Sequence, residues 1–304
     1  MLTVSNYHYI RDDYRTNYPS IFGVTPSQFK EQLLLLKNLG EFVSADDLIN
    51  NTDTLIASAN NYILVTFDDG LKEQYKFGFS ILDSLNIPAL FFANSINFEQ
   101  KKVSTVHKIH LLRSIISPGD FLKSILKIDS SKINSINIFR AKKIYIYDDE
   151  KSAVLKYILN FGLTYLEQGK IIDDLFLVYY DEAEVLNSLY FNDLNLMELA
   201  SKGFLGSHTH SHYPLGLLKT EDIILELQNS KNFFEKLTTT TINSVAYPYG
   251  TQESCTLEVA KIAKKIGYKL GFTTNRGVNT GNENKLLLNR FDCNDLAGGK
   301  NYRI

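Results

Sequence analysis

Two short segments hold most of the residues in this chain that could do chemistry. They are Thr66-Phe67-Asp68-Asp69-Gly70 and Ser207-His208-Thr209-His210-Ser211-His212. Three of the six histidines fall inside the second segment, at His208, His210 and His212. Neutral imidazole is a common ligand for zinc and related divalent ions. His208 and His212 would share one face if their segment were helical. Adjacent carboxylates can point in different directions, one to a metal and one to a water, and Gly70 lets the backbone turn sharply after them. One carboxylate with two imidazoles gives three protein ligands and leaves positions open, the layout of a catalytic rather than a structural site. Water at an open position is made more acidic, and the spare aspartate can take its proton. Metal-assisted hydrolysis suits these residue types. Taken alone, this segment is better read as Asp68 or Asp69 capping the helix that starts near Leu71. The histidine triplet changes the odds, because three histidines after a strand are hard to explain as packing.

A third segment, Ala246-Tyr247-Pro248-Tyr249-Gly250, follows an apolar run from Ser244. Proline and glycine fix a tight loop there, and its backbone N–H groups could face a developing oxyanion. An ordinary β–α turn would read the same way.

The surrounding pattern must bring these segments together. Leu2 to Tyr9 reads as a strand ending at His8-Tyr9, and Ile63 to Phe67 and Ala89 to Ala93 read as strands covered on both faces. Thr25 with Pro26 opens a helix carrying an apolar stripe of Phe29, Leu33, Leu36 and Leu39 until Gly40. Another helix runs from about Leu71 to Leu85, before Ile87-Pro88. After residue 200 the alternation resumes: strands over Phe204 to Gly206, Ser244 to Tyr247, Lys269 to Thr273 and Leu286 to Phe291, with helices from Thr220 and over Glu253 to Ile266. Such alternation means a mainly parallel sheet wrapped by helices, whose strands gather catalytic groups at their carboxyl ends. The segment between reads mostly as helices, for example Asp149 to Leu159 and Glu182 to Leu189. The expected organisation is 1–99 and 196–304 as two parts of one α/β domain, with 100–195 a helical insertion on its rim or a lid.

The chain has 304 residues, 44% of them hydrophobic, and a formal net charge of -2. A substantial core is affordable without disulfides, and no basic face speaks for nucleic acid. Cys255 and Cys293, the only two cysteines, read as reduced, packed thiols. The start, Met1-Leu2-Thr3-Val4-Ser5-Asn6-Tyr7-His8, has neither a basic n-region nor an apolar h-region. No window approaches the roughly 20 apolar residues of a membrane helix. The expected compartment is the cytoplasm.

With its segments in this order, the chain resembles the polysaccharide deacetylase family, the NodB-homology or carbohydrate esterase family 4 group. Thr66-Phe67-Asp68-Asp69-Gly70 is similar to its first motif, Ser207 to His212 to its second, and Tyr247-Pro248-Tyr249-Gly250 to its third. The resemblance covers roughly residues 1 to 99 and 200 to 292. It implies a distorted (β/α) barrel of fewer than eight strands. It implies that Asp69, His208 and His212 hold a divalent metal, zinc first, with cobalt, manganese or nickel also accepted. Asp68 would then be the general base, and the Tyr249 backbone N–H would help stabilise the tetrahedral intermediate.

Two departures from the family stand out. Ala246 occupies the position where many members carry arginine, and Arg290 is the candidate replacement for orienting Asp68. No histidine follows His212, so the usual C-terminal general acid is missing. A permuted subgroup acting on poly-N-acetylglucosamine carries that histidine near the N-terminus, and Tyr7-His8-Tyr9 is similar, which makes His8 the candidate acid. A half-buried strand histidine is the plainer account of His8. His107 and His110 share a helix spacing in the insertion and are expected at a surface or interface, outside the site. The substrate implied is an acetylated amino sugar used in surface-glycan assembly. Alternatives are a deformylase or other amide hydrolase on the same scaffold, and a catalytically silent glycan-binding protein.

Overall fold

Strands rich in β-branched and aromatic residues pair here in parallel, and the longest of them are buried on both faces. The computed structural model describes residues 1–19, 23–128, 137–144 and 148–302. Its eight strands are β1 (Leu2–Tyr7), β2 (Glu41–Phe42), β3 (Tyr62–Phe67), β4 (Ala89–Ala93), β5 (Leu205–Ser207), β6 (Ser244–Ala246), β7 (Leu270–Phe272) and β8 (Phe291–Asp292). They form one sheet in the order β7-β6-β5-β4-β3-β1-β8, and β2 pairs with the start of β3. Every pairing is parallel. The count exceeds the expected one because β2 and β8 have two residues each, too short for any period to register.

One face of the sheet curls around a core of Val4, Leu64, Leu90, Phe92, Ala246, Leu270, Phe272 and Leu288. The other carries an aromatic layer, in which Phe67 stacks on Phe91 with ring centroids 4.5 Å apart and Phe29 meets Tyr7 edge-on at 4.9 Å. Phe29 comes from the helix Pro26–Lys37, started by a capping box between Thr25 and Gln28. Each such ring, fully buried, contributes on the order of 1.5–3 kcal/mol. Alternation along the strands therefore sends Val4 and Leu64 inward and Tyr7 and Phe67 outward.

Three sequence expectations change. Leu286 to Phe291 is mostly not a strand: its backbone bonds are split between Gly271, Thr273 and Asn275 instead of forming one ladder, and only Phe291–Asp292 pairs regularly, with β1. The helix expected from Leu71 contains a π-helical stretch, Gln74–Phe79, before Ser80–Ser84. The helix expected from Glu253 starts at Leu257, where Thr256 caps it, and ends at Gly267 in a left-handed conformation.

Two compact units divide the chain, one of Met1–Tyr14, Phe22–Lys102 and Leu186–Ile304, the other of Arg15–Ile21 and Val103–Val185. Among its described residues the second unit is helical, including Thr105–Ile115, Glu150–Tyr157 and Tyr165–Tyr179. Its core includes Leu112, Phe121, Ile172 and Phe176. A buried ammonium, Lys108, is matched there by Asp173 and Glu182, each at 2.7 Å. His107 is buried and faces His110 at a ring distance of 6.0 Å, so of the surface or interface expected for it the exposed surface is ruled out.

Gly206 in β5 shows how tightly the inner core is filled. A methyl group there would lie 2.4 Å from the Phe92 ring. Gly206→Ala should cost about 1–3 kcal/mol through overpacking. Urea denaturation followed by circular dichroism measures it, and an unchanged midpoint would show that the Phe92 ring can move aside.

Candidate metal centre

Register places the candidate residues together. Tyr7 pairs with Phe67, Phe67 with Phe91, Ala93 with Ser207, and Ser207 with Val245. The next residues along each strand therefore leave from one end of the sheet. These are His8 after β1, Asp68 and Asp69 after β3, His208 after β5, and Tyr247 to Gly250 after β6.

Asp69, His208 and His212 each offer a ligand atom, and the three atoms lie within 4.8 Å of one another. His208 Nε2 is 3.5 Å and His212 Nε2 is 3.3 Å from Asp69 Oδ1. All three residues are buried. His208 Nδ1 lies 2.7 Å from the Ala246 carbonyl, which can only accept, so Nδ1 carries the hydrogen and Nε2 keeps its lone pair. A second partner on the far nitrogen is how metal-binding histidines are usually oriented. Burial pushes His208 down to about 4, so the imidazole is neutral, the form that binds metal. The donor set and its convergence fit a divalent ion such as zinc.

The helical face suggested for His208 and His212 is absent. Residues 208 to 214 form a loop in which Thr209 and His212 have φ of 65° and 62°. Two left-handed residues fold the loop back so that His212 returns beside His208, ring centroids 4.9 Å apart. A β-branched residue such as Thr209 resists that conformation, and anchors hold it there. The His210 and Ser211 N–H groups donate to the Glu226 carbonyl and carboxylate at 3.1 and 2.7 Å. The Thr209 and His210 carbonyls accept from Ser95 and Ile96 at 3.2 and 3.1 Å. His210 itself turns away, its ring bonded to Ser95 and Gln100 at 2.7 and 2.9 Å.

Asp68 lies deeper. Arg290 grips it with two parallel bonds of 2.7 Å each, Nη1 to Oδ1 and Nη2 to Oδ2. The guanidinium is 1% exposed and also donates to Thr66 Oγ1 and the Thr273 carbonyl at 3.3 and 2.8 Å. Arg290 thus stands where the sequence offered it, and Ala246 contributes its carbonyl instead of a side chain. Burial alone would raise the Asp68 carboxyl, but the facing Arg290 charge, with His208 and His8 nearby, holds it at about 2. His8 Nε2 is 4.0 Å from Asp68 Oδ2, and its side chain is 37% exposed, so it sits at the open rim of the site. Tyr249 adopts φ 63°, and its ring meets His212 edge-on at 5.3 Å.

Sequence patterns pointed to the residues that touch the site but not to those that hold them. Glu226 lies mid-helix in Thr220–Thr238, Ser95 and Gln100 flank the short helix Ile96–Glu99, and Gln74 begins the π-helical stretch. None belongs to a motif, so no local signal marked them.

Removing the guanidinium tests the pair. Arg290→Met in metal-free protein should lose about 3–5 kcal/mol at neutral pH, because a buried carboxylate is left alone. Asp68 sits at about 2 folded and about 3.9 unfolded. The stabilisation from its pairing is therefore full above the unfolded value and lost as pH falls through the folded one. The gap between wild type and variant should shrink between about pH 4 and 2; a gap that stays constant in urea melts across that range would contradict the assignment.

Residues 191–271 match the family model of polysaccharide deacetylase, a stretch containing both His208 to His212 and the Tyr249 loop. No curated protein sequence matches the chain. Among solved structures, the Streptococcus pyogenes deacetylase PplD in complex with acetate is similar at 17% identity and a TM-score of 0.61, covering 96% of this chain and 91% of that one. IcaB from Ammonifex degensii is similar at 16% identity and a TM-score of 0.55, with 95% and 90% covered. The BpsB deacetylase domain from Bordetella bronchiseptica is similar at 14% identity and a TM-score of 0.54, with 96% and 95% covered. The curled parallel fold is thus shared with these deacetylases along nearly the whole chain, and the stretch that holds the second and third motifs is similar to the polysaccharide deacetylase family.

Proposed function

We propose that the protein hydrolyses the N-acetyl group of an amino sugar within a glycan or its precursor, with a divalent metal held by Asp69, His208 and His212. The observation that carries this proposal is the convergence of those three buried ligands beside an arginine-clamped aspartate. When bound, the metal, zinc in the first instance, would polarise the amide carbonyl and acidify a water.

The residues of the chain then divide the remaining work. Asp68, kept ionised by Arg290, takes a proton from the attacking water. The clamp also fixes which way its carboxylate faces, so little reorientation is needed during the reaction. The Tyr249 backbone N–H adds a donor toward the developing oxyanion, the kind of contact that strengthens as charge builds. His8, exposed at the rim and 4.0 Å from Asp68, delivers a proton to the departing nitrogen as the C–N bond breaks. Acetate and a free amine leave. The match of residues 191–271 to the polysaccharide deacetylase model supports a glycan substrate, and the placement of the candidate acid near the N-terminus suits the permuted poly-N-acetylglucosamine subgroup.

A deformylase on the same scaffold is separated by offering acetylated and formylated amino sugars and measuring acetate and formate. Asp69→Ala or His212→Ala should abolish both metal uptake, read by titration calorimetry, and acetate release. Full turnover by rigorously metal-free protein would end the metal-dependent proposal. His8→Ala should slow turnover about 10²- to 10⁴-fold, the usual worth of a general acid, with metal content unchanged. An unaltered rate would remove His8 from the mechanism and leave the metal assignment standing.

A further inference from the structure

His8 and Asp68 are the first residues beyond strands β1 and β3, where the regular ladder between the strands ends. Its last bond runs from the Asp68 N–H to the Tyr7 carbonyl at 3.0 Å. Beyond it, the carbonyls of His8 and Asp68 both turn to one donor, Gln74 Nε2, which meets His8 O at 2.8 Å and also bonds Asp68 O. The amide is completed by Oε1, which accepts from the Leu71 N–H at 3.2 Å. Two acceptors on one side and a donor on the other fix which end of the amide is which. Gln74 is fully buried, and its own N–H bonds the Leu71 carbonyl at 2.9 Å. The side chain therefore extends the ladder by one rung, fastening the backbone of His8 to that of Asp68 and both to the loop after Asp69.

We infer that Gln74 is a positioning residue, setting the spacing between the proton donor His8 and the base Asp68. The inference rests on the roles proposed above for those two residues. Arg290 fixes the Asp68 carboxylate, whereas the His8 side chain is partly exposed and lies a loose 4.0 Å from Asp68. The backbone tether through Gln74 is what restrains it from below. A displacement of about 1 Å at a reacting group can cost on the order of 10²-fold in rate, so one buried amide can matter at that scale without touching substrate.

Two readouts test this, one of them independent of turnover. In a crystal structure of Gln74→Met, the 4.0 Å spacing of His8 and Asp68 should widen or the imidazole should take several positions, while Asp69, His208 and His212 stay in place. In kinetics, kcat should fall about tenfold or more, with KM and metal content little changed. In a His8→Ala background, adding Gln74→Met should cost almost nothing further. Gln74→Asn keeps both donor hydrogens but is one methylene shorter, and should lie between wild type and the methionine variant. An unmoved His8, or the same fold-loss with and without His8, overturns the positioning role. So does failure of both variants to fold, which would make Gln74 a residue of stability alone. If His8→Ala is itself as fast as wild type, the proton-donor proposal fails, and the structural readout still decides whether Gln74 sets the spacing.

Discussion

A carboxylate and a guanidinium buried together at the mouth of an apolar barrel govern much of what surrounds them. Asp68 and Arg290 are almost fully buried, and either charge alone there would be costly. Their two parallel bonds match the planar fork of arginine, and the remaining donors of Arg290 are used by Thr66 and the Thr273 carbonyl. The pair also links distant parts of the chain, since Arg290 precedes β8 and Asp68 follows β3. With the carboxylate neutralised on one side, Asp69 is left as the acidic partner of the two histidines. Neighbouring aspartates thereby acquire different environments although they are adjacent in sequence.

Backbone strain collects at the same place. Asp69, Thr209, His212 and Tyr249 all have positive φ without being glycine, a conformation that L residues seldom adopt. Such strain persists where surrounding structure over-determines it. Here Glu226, Ser95 and Ile96 hold the histidine loop, and the Thr274 hydroxyl and N–H hold the carbonyls of Tyr249 and Gly250 at 2.8 and 2.9 Å. Gln74 does the same for the ends of β1 and β3. Rigid strands set the positions roughly, and buried side chains in neighbouring helices refine them.

The site was legible where function requires a particular side chain at a particular spacing. Aspartates after an apolar run, histidines in a cluster and a proline-glycine loop are local signals, and the strands that lead into them showed as short apolar runs. Arg290 was harder, because its role depends on a segment that forms almost no regular strand: its neighbours Leu286 and Leu288 look like a strand, while their hydrogen bonds go to several partners. Gln74 and Glu226 were silent, since a buried amide or carboxylate bonded to backbone has no characteristic spacing.

The sequence by itself determined the chemistry available: one carboxylate and two imidazoles that could hold a metal, a second carboxylate beside them, and a parallel α/β framework with its loops at one end. Side-chain type fixes these, because only a few residues bind metal or move protons. Tertiary structure alone decided how they meet. His212 reaches His208 through a left-handed loop and not along a helix, His8 reaches Asp68 because β1 lies beside β3, and Arg290 rather than residue 246 holds Asp68. Those outcomes depend on strand order and on which buried groups must find partners, both set by contacts far apart in the chain.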